Sequence, residues 1–170
     1  MELSEAVEIL QRTPATLRSL LAGLSGPWLL TNEGGDTFSP RDVVAHLIHG
    51  ELTDWIPRIR IILEHGATRP FDRFDRFGYQ PGPEVTVEQM LDRFDELRRD
   101  NLAHLRALAL TPEQMALPGT HPELGPVTLG QLIATWAVHD LNHVGQIVRV
   151  MSRRVTADVG PWRPYLGILK

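Results

Sequence analysis

Three features of the sequence predict an all-α fold, namely a four-helix bundle with long crossover loops. Four long segments carry apolar residues at steps of three and four, which is the spacing of an amphipathic helix. No segment shows the strict alternation of apolar and polar residues that is typical of a half-buried strand. The connecting segments are rich in proline and glycine. At 170 residues, the chain is expected to form a single domain, residues 1–170.

The first two predicted helices are each interrupted by a proline. The first covers residues 4–24, and Pro14 is expected to break it because proline removes a backbone donor and clashes with the preceding turn. The second begins at the sequence S-P-R-D, in which Ser39 is a favoured N-cap and is followed by proline at the first helical position. It is expected to run to His65, with a kink caused by Pro57.

The segment from Ala67 to Val85 is predicted to be a long crossover loop. It contains three prolines, two glycines and four aromatic residues. When fully extended it would reach about 60 Å, about twice the length of a 20-residue helix. The loop can therefore cross the whole bundle and allow the third helix to run parallel to the second.

The second half of the chain predicts two further long helices. The third is capped by Thr86 and carries apolar residues as far as Leu108. A short helical turn at T-P-E-Q and a loop, L-P-G-T-H-P-E-L-G-P, are expected to follow it. The fourth helix is expected to cover residues 128–154, and the apolar tail after it is expected to pack back on the bundle.

Composition excludes several classes of function. The chain has no cysteine, which rules out disulfides, thiolate nucleophiles and thiolate metal ligands. Its net charge of −4 provides no attraction for nucleic acid or for an anionic membrane. The N-terminal segment is acidic and amphipathic, unlike a signal peptide, and no apolar run approaches the length of a membrane span. We therefore expect a cytoplasmic protein.

Two histidines lie on the apolar seam of the fourth helix. His139 and His143 are four residues apart, so their rings point in the same direction from consecutive turns. Burying polar nitrogens without partners costs about 1–3 kcal/mol each, so the pair needs partners. Hydrogen bonds to the backbone or to water would satisfy the rings, and so would a shared metal ion. The heptad positions of this seam are Leu129, Leu132, Trp136, His139, His143, Gln146 and Val150.

A metal site would require a third ligand, and the second helix offers two candidates. His46 and His49 are one turn apart in V-V-A-H-L-I-H-G-E, so either of them could point inward. Helical periodicity places both to one side of the strongest apolar seam, with His49 nearer to it. Gly50, one turn after His46, would leave open space on that face.

Several of these motifs together resemble the proposed metalloenzymes of the DinB/YfiT-like family. The matching segments are R-D-V-V-A-H-L-I-H-G-E, W-A-V-H-D-L-N-H-V-G-Q-I and the closing Y-L-G-I-L, so the resemblance covers nearly the whole chain. It implies a four-helix bundle in up-down-down-up order that often forms homodimers. It also implies a divalent metal ion, zinc or nickel, held by His46, His139 and His143. For the third ligand, we follow the resemblance and prefer His46 to His49.

Three histidine ligands would leave one coordination position open, as is typical of catalytic metal sites. Asp140 or Asn142 could orient a ligand ring, and Gln146 could touch a substrate. His65, His104 and His121 are expected to lie outside the site. Further residues expected near the metal, as ligand supports or as part of a substrate pocket, are His49, Glu51, Trp55 and Trp136.

Three functions are compatible with such a site. The resemblance implies a metal-dependent enzyme similar to thiol S-transferases, which would act on a small-molecule substrate with a low-molecular-weight thiol. A metal-dependent hydrolase is the first alternative, because the same site could hold water. The second alternative is a non-catalytic, stress-related helical bundle with a structural metal or no metal.

Overall fold

The computed structural model describes residues 1–170 and confirms the all-α fold. Helices account for most of the ordered chain, and one short hairpin supplies the only strands. The helices are α1 (Leu3–Leu10), α2 (Thr13–Leu21), α3 (Gly26–Leu30), α4 (Pro40–Thr53), α5 (Trp55–His65), α6 (Val87–Ala107), α7 (Pro112–Met115) and α8 (Leu129–Arg154). The strands are β1 (Pro118–His121) and β2 (Gly125–Thr128), and three 3-10 turns cover Gly66–Thr68, Gly160–Tyr165 and Gly167–Leu169.

Contacts between the helices give the bundle its up-down-down-up order. Arg41 in α4 binds the backbone just before α6, whereas Glu51 near the end of α4 binds Arg98 in the middle of α6. The start of α4 thus lies beside the start of α6, and the end of α4 lies beside a later part of α6. The two helices therefore run parallel. Arg18 in α2 pairs with Asp92, while Leu10 in α1 binds Arg98, so α1 and α2 run antiparallel to α6.

The fourth long helix completes this order. Trp136 in α8 binds Glu51 of α4, and Leu129 and Ile133 share a core cluster with Ile59 and other residues of α5. Ile147, further along α8, packs instead with residues from the beginning of α4. Helix α8 therefore runs antiparallel to α4 and α5.

Helix termini follow the predicted capping residues. Ser39 accepts from the backbone N–H of Asp42, and the Asp42 side chain accepts from the Ser39 backbone in return. Thr86 caps α6 and Thr128 caps α8 through the same reciprocal arrangement with a glutamine three residues later. These side chains satisfy donors that the first turn of a helix leaves unpaired.

The second predicted helix is broken rather than kinked. Helix α4 ends at Thr53 and α5 begins at Trp55, with Asp54 between them. Pro57 explains the position of the break, because its nitrogen carries no hydrogen for the carbonyl of Thr53 and its ring crowds that carbonyl. The helix is therefore interrupted three residues before the proline, at Asp54.

Two other segments differ from the sequence prediction. The loop expected after α7 contains the antiparallel hairpin β1–β2, in which Pro118 pairs with Thr128 and His121 with Gly125. Residues 26–30, which were not expected to form an element of their own, make the short helix α3. Hydrophobic periodicity misses both because each is too short to show a period.

The long crossover loop is anchored to the bundle at both ends. The backbone of Phe71 bonds to Thr120 in β1, and the Phe71 side chain is buried. At the other end, Arg41 donates to the carbonyls of Pro81, Gly82 and Val85. The loop thus lies across α4 and α5 instead of extending into solvent.

None of the helices combines the length and the apolar character that crossing a membrane would require.

Gly119 tests how closely the hairpin packs on α5. A Cβ atom at this position would lie 2.7 Å from the Ile62 side chain and 3.2 Å from the Phe71 ring. We expect Gly119→Ala to lower the free energy of unfolding by about 1–3 kcal/mol, since overpacking displaces the neighbouring side chains. Urea denaturation measures this change. Gly167→Ala is the matched control because no atom lies within 4 Å of its added Cβ; an equal loss in both variants would contradict the packing argument.

Candidate metal centre

Three histidine rings from two helices converge inside the bundle. The Nε2 atom of His139 lies 3.1 Å from Nε2 of His46 and 3.1 Å from Nε2 of His143. One ring nitrogen of each histidine lies within 4.8 Å of a ring nitrogen of each of the other two. The structure therefore brings together the three residues that the sequence resemblance indicates as metal ligands.

Helix geometry explains how the rings meet. His139 and His143 are one turn apart on α8, and their ring centroids lie 4.3 Å apart. His46 reaches them from the buried face of α4, with its ring 4.7 Å from the ring of His143. On its other side, the His46 ring packs edge-on against Phe74 of the crossover loop.

The three Nε2 atoms face one another, and the hydrogen-bond partners of the Nδ1 atoms determine how many of these Nε2 atoms carry a hydrogen. His46 Nδ1 lies 3.4 Å from the carbonyl of Arg76, and His143 Nδ1 lies 2.8 Å from Oε1 of Gln146. Both Nδ1 atoms therefore carry the hydrogen, which leaves a lone pair on each Nε2. Both lone pairs face His139 Nε2, which can donate to only one of them.

A cation would resolve this shortage. It would accept all three Nε2 lone pairs and leave the hydrogen of His139 on Nδ1, a buried atom with no protein partner. Zinc–nitrogen bonds of 2.0–2.1 Å in a tetrahedral site place neighbouring nitrogens about 3.3 Å apart, close to the two observed separations of 3.1 Å. The three side chains thus fit a divalent metal ion by donor type and by spacing.

Burial keeps the rings neutral, which is the form that binds metal. It lowers the pKa of His139 from its usual 6.5 to about 2 and that of His46 to about 4. The pKa of His143 is lowered too, again mainly by burial, although its bond to Gln146 opposes the shift. The neighbouring histidines and nearby arginines add to the effect, because positive charges disfavour protonation. The site therefore presents unprotonated nitrogens at neutral pH.

Two predicted supporting residues, Glu51 and Asp140, bind an arginine instead of a ligand ring. Arg98 of α6 donates to Asp140 at 2.5 and 3.1 Å and to Glu51 at 2.7 Å, and all three side chains are buried. Asp140 thus does not orient a histidine, as the sequence suggested it could. Gln146 has that role for His143.

The two predicted tryptophans form one wall beside the histidines. Trp55 and Trp136 stack with their ring centroids 5.6 Å apart, and Trp55 contacts the His139 ring edge-on at 5.1 Å. Gly50 allows this arrangement, since a Cβ there would lie 3.2 Å from the Trp55 indole nitrogen. The space expected beside Gly50 is thus occupied by Trp55.

His49 and Asn142 lie outside the histidine cluster. His49 packs against Phe74 of the crossover loop and leaves no room for a Cβ at Gly78, so it supports the loop rather than joining the three rings. Asn142 is exposed in a shallow groove next to His139 and makes no hydrogen bond to a ligand ring.

A cavity of about 370 Å³ opens beside His46 and His139. Its apolar lining includes Trp55, Phe71, Phe74, Val127 and Leu132, and its polar lining includes Asp54, Arg58, Arg73 and His121. Arg58 Nε lies 2.5 Å from Asp54 Oδ1, and both side chains are nearly buried. Burial raises the pKa of Asp54 to about 6, although Arg58 opposes this shift.

A second cavity, of about 320 Å³, reaches His46 from the other side of the crossover loop. Arg76 lies in its wall, with the guanidinium carbon 4.7 Å from the centre of the Phe38 ring and 4.8 Å from that of Phe77. No hydrogen bond from this guanidinium to the protein is present. This cavity is therefore more polar than the first one, and its charged lining consists of Asp36, Asp42, Arg41 and Arg76.

Sequence reasoning missed Arg98, the Asp54–Arg58 pair and His121, which lines the larger cavity instead of lying outside the site. Arg98 could have been recognised, because it occupies the apolar seam of α6 between Phe94 and Leu105, where a charge requires a partner. The Asp54–Arg58 pair and His121 gave no such signal, since they depend on the helix break and on the hairpin.

Comparison with known proteins identifies the family of this chain. The sequence model of the DinB superfamily matches residues 9–147, and the chain belongs to this superfamily. A relative from Oceanobacillus iheyensis, named "Putative metal-dependent hydrolase OB0782", is 23% identical over 159 residues, which span 89% of this chain and 87% of the relative.

A solved structure shows the same fold. It is that of YfiT from Bacillus subtilis, described as "a probable metal-dependent hydrolase with an unusual four-helix bundle topology". The TM-score is 0.75 at 22% identity, and the match covers 90% of this chain and 87% of the other. This likeness confirms the four-helix bundle.

The low pKa values of the three histidines predict that the metal-free protein loses stability in acid. In the folded state these values lie below 6.5, so between pH 6.5 and about 4 the unfolded chain binds more protons. Stability should therefore fall as the pH is lowered through this range, by about 3 kcal/mol from His46 alone. Urea unfolding of chelator-treated protein at pH 7 and pH 4 measures the change.

Two variants control this experiment. His46→Gln should reduce the loss of stability in acid, because it removes one of the buried imidazoles. His65→Gln should leave the loss unchanged, since that side chain is exposed at the end of α5. An equal pH dependence in all three proteins would contradict the assignment to the buried rings.

Proposed function

We propose that this protein is a divalent-metal-dependent enzyme whose ion is held by Nε2 of His46, His139 and His143. The observation that carries the proposal is that the Nε2 atoms of His46 and His143 both lie 3.1 Å from Nε2 of His139. The descriptions of the Oceanobacillus relative and of YfiT as metal-dependent hydrolases support a metal-dependent enzyme. Zinc and nickel both accept three imidazole ligands, and both are candidates.

The donor set favours a catalytic site over a structural one. Structural zinc sites are almost always closed by four protein ligands, whereas catalytic sites combine three protein ligands with one exchangeable ligand. No fourth histidine or carboxylate joins the three rings, because Glu51 and Asp140 are both engaged by Arg98. The non-catalytic alternative is therefore less well supported.

We propose hydrolysis of a small, largely apolar substrate as the reaction. A divalent ion at this position would supply Lewis acidity and lower the pKa of a bound water toward neutrality. Trp55, Phe74 and Leu132 would hold the apolar part of the substrate in the larger cavity and exclude bulk water. Asp54 lies in the same cavity, and its pKa of about 6 suits exchange of a proton with the substrate near neutral pH.

A thiol S-transferase reaction is the second candidate, and the pair of cavities favours it. Both cavities reach His46, one apolar and one carrying Arg76, which gives room for an electrophile and for a separate low-molecular-weight thiol. Hydrolysis requires only one organic substrate. Hydrolysis therefore assigns no role to the second cavity.

The remaining proposals concern the substrate class, the oligomeric state and the location. The net charge of −4 supports a small-molecule substrate rather than nucleic acid. The homodimer stays a prediction from the sequence resemblance, as does the cytoplasmic location.

Exchange of single histidines tests the metal site. We expect the purified protein to contain about one equivalent of divalent metal and to melt at lower temperature after chelation, because binding stabilises the folded state. His46→Ala should lose most of the metal, whereas His49→Ala should retain it, since His49 faces the crossover loop. Elemental analysis and thermal unfolding provide the measurements. Equal metal content in the two variants would contradict the assignment of His46.

Turnover by the zinc- or nickel-loaded protein distinguishes the two reactions. A hydrolase should cleave activated esters or amides without added thiol. An S-transferase should conjugate a thiol such as cysteine to 1-chloro-2,4-dinitrobenzene and show little activity without it. His139→Ala should lower either activity at least 100-fold, because it removes the central ligand, and product analysis by mass spectrometry identifies the reaction. Full activity in that variant would rule out a metal-dependent reaction at this site.

A further inference from the structure

A cluster of three charged side chains, Glu51, Arg98 and Asp140, lies buried behind the histidines. Their side chains are no more than 1% exposed, and Arg98 joins the two carboxylates at 2.7 Å and 2.5 Å. The cluster connects α4, α6 and α8, the helices that form the centre of the bundle. Burial of three charges is costly, and the cost depends on how far the charges neutralise one another.

Every polar neighbour of the two carboxylates donates a hydrogen bond to them. The two oxygens of Asp140 each accept from Arg98. One oxygen of Glu51 accepts from Arg98 and from the indole of Trp136, and the other accepts from the amide of Asn101. A proton on either carboxyl would face a donor instead of an acceptor. One arginine therefore balances two carboxylates, and the cluster has a net charge of −1.

No other buried group cancels this charge. Asp54 and Arg58 form a separate pair whose charges compensate each other. Arg73 and Arg76 are the other cations near the three rings, and both are exposed to solvent on the crossover loop, where water screens them. The buried cluster of Glu51, Arg98 and Asp140 therefore keeps its net negative charge.

The cluster lies next to the proposed metal position. Asp140 directly follows His139 and is three residues before His143, a separation at which helical side chains are neighbours. Glu51 is connected through Trp136, which is one turn before His139 and stacks on Trp55 against the His139 ring. Only protein atoms separate the charge from the rings, so solvent screens it weakly.

We propose that Glu51 and Asp140, joined by Arg98, lend a net negative charge to the three neutral imidazoles and thereby tune the charge preference of the site. This proposal rests on the metal site proposed above. The added charge strengthens binding of a dication and weakens binding of an anion as the additional ligand. The class of ligand that it favours at the open position is neutral, such as water or a carbonyl oxygen, rather than a free carboxylate or phosphate.

Glu51→Gln tests the proposal, because it removes one charge and keeps the shape of the side chain. Chelator competition measures the affinity for Zn²⁺ and for Cu⁺, and azide titration of the cobalt(II)-loaded protein measures the affinity for an anion. We expect Zn²⁺ affinity to fall about 10–100-fold, as is usual when residues behind metal ligands are replaced. Cu⁺ affinity should fall by about the square root of that factor, since electrostatic energy scales with ionic charge. Azide affinity should rise.

Glu33→Gln is the matched control. It removes the same charge from a carboxylate that pairs with Arg149 and Arg153, further along α8. We expect its metal and azide affinities to lie within about twofold of the wild type. Asp140→Asn removes the second carboxylate charge of the cluster and should reproduce the pattern of Glu51→Gln.

The outcomes separate this proposal from the one it rests on. Failure of the wild-type protein to bind any of the metals would overturn the proposed metal-dependent function. If the wild type binds zinc, three results would overturn only the charge proposal. These are unchanged Zn²⁺ affinity in Glu51→Gln, equal losses for Zn²⁺ and Cu⁺, and a decrease in azide affinity. If neither cluster variant folds, the cluster is structural and the charge proposal fails as well.

Discussion

The buried Arg98 side chain sets the relative positions of the helices that form the site. Its guanidinium bonds to α4 through Glu51, to α8 through Asp140 and to the carbonyl of Leu10 in α1. A bidentate contact to Asp140 restricts direction as well as distance. His46 lies on the same helix as Glu51, and His139 lies on the same helix as Asp140. The position of the two carboxylates therefore determines the position of the two histidines. Displacement of α4 against α8 would break buried charged bonds before it separated the rings.

The fold was predictable where a single helix carries enough residues to show a period. Helices α6 and α8 follow the expected seams, and the cap of α6 at Thr86 lies where the sequence indicates it. The parallel arrangement of α4 and α6 follows from the length of the crossover loop. The hairpin was not predictable, because each strand has only four residues and is rich in glycine, proline and threonine. Its stability comes from packing against α5, which no local pattern shows.

The choice between His46 and His49 shows why periodicity alone was insufficient. The apolar seam that placed His49 nearer the core was followed through Leu52 to Ile62, as though one helix covered this whole segment. The break at Asp54 separates α4 from α5, so the angular position of residues in α5 says nothing about the faces of α4. Leu52, counted in that seam, is 41% exposed, whereas His46 is 9% exposed. The sequence resemblance avoided this error because it compares positions and does not extrapolate a helical phase.

Burial links the stability of this protein to its proposed chemistry. The same low-dielectric surroundings that lower the pKa values of His46 and His139 deprive their nitrogens of water as an alternative partner. A protonated ring would add positive charge to a place where three rings nearly touch, so acid disfavours the folded arrangement. A dication has the opposite effect, because it satisfies the lone pairs and meets the negative cluster around Arg98. Under the two proposals, the donor atoms and the net charge would both favour a metal ion, and these two properties arise from different residues.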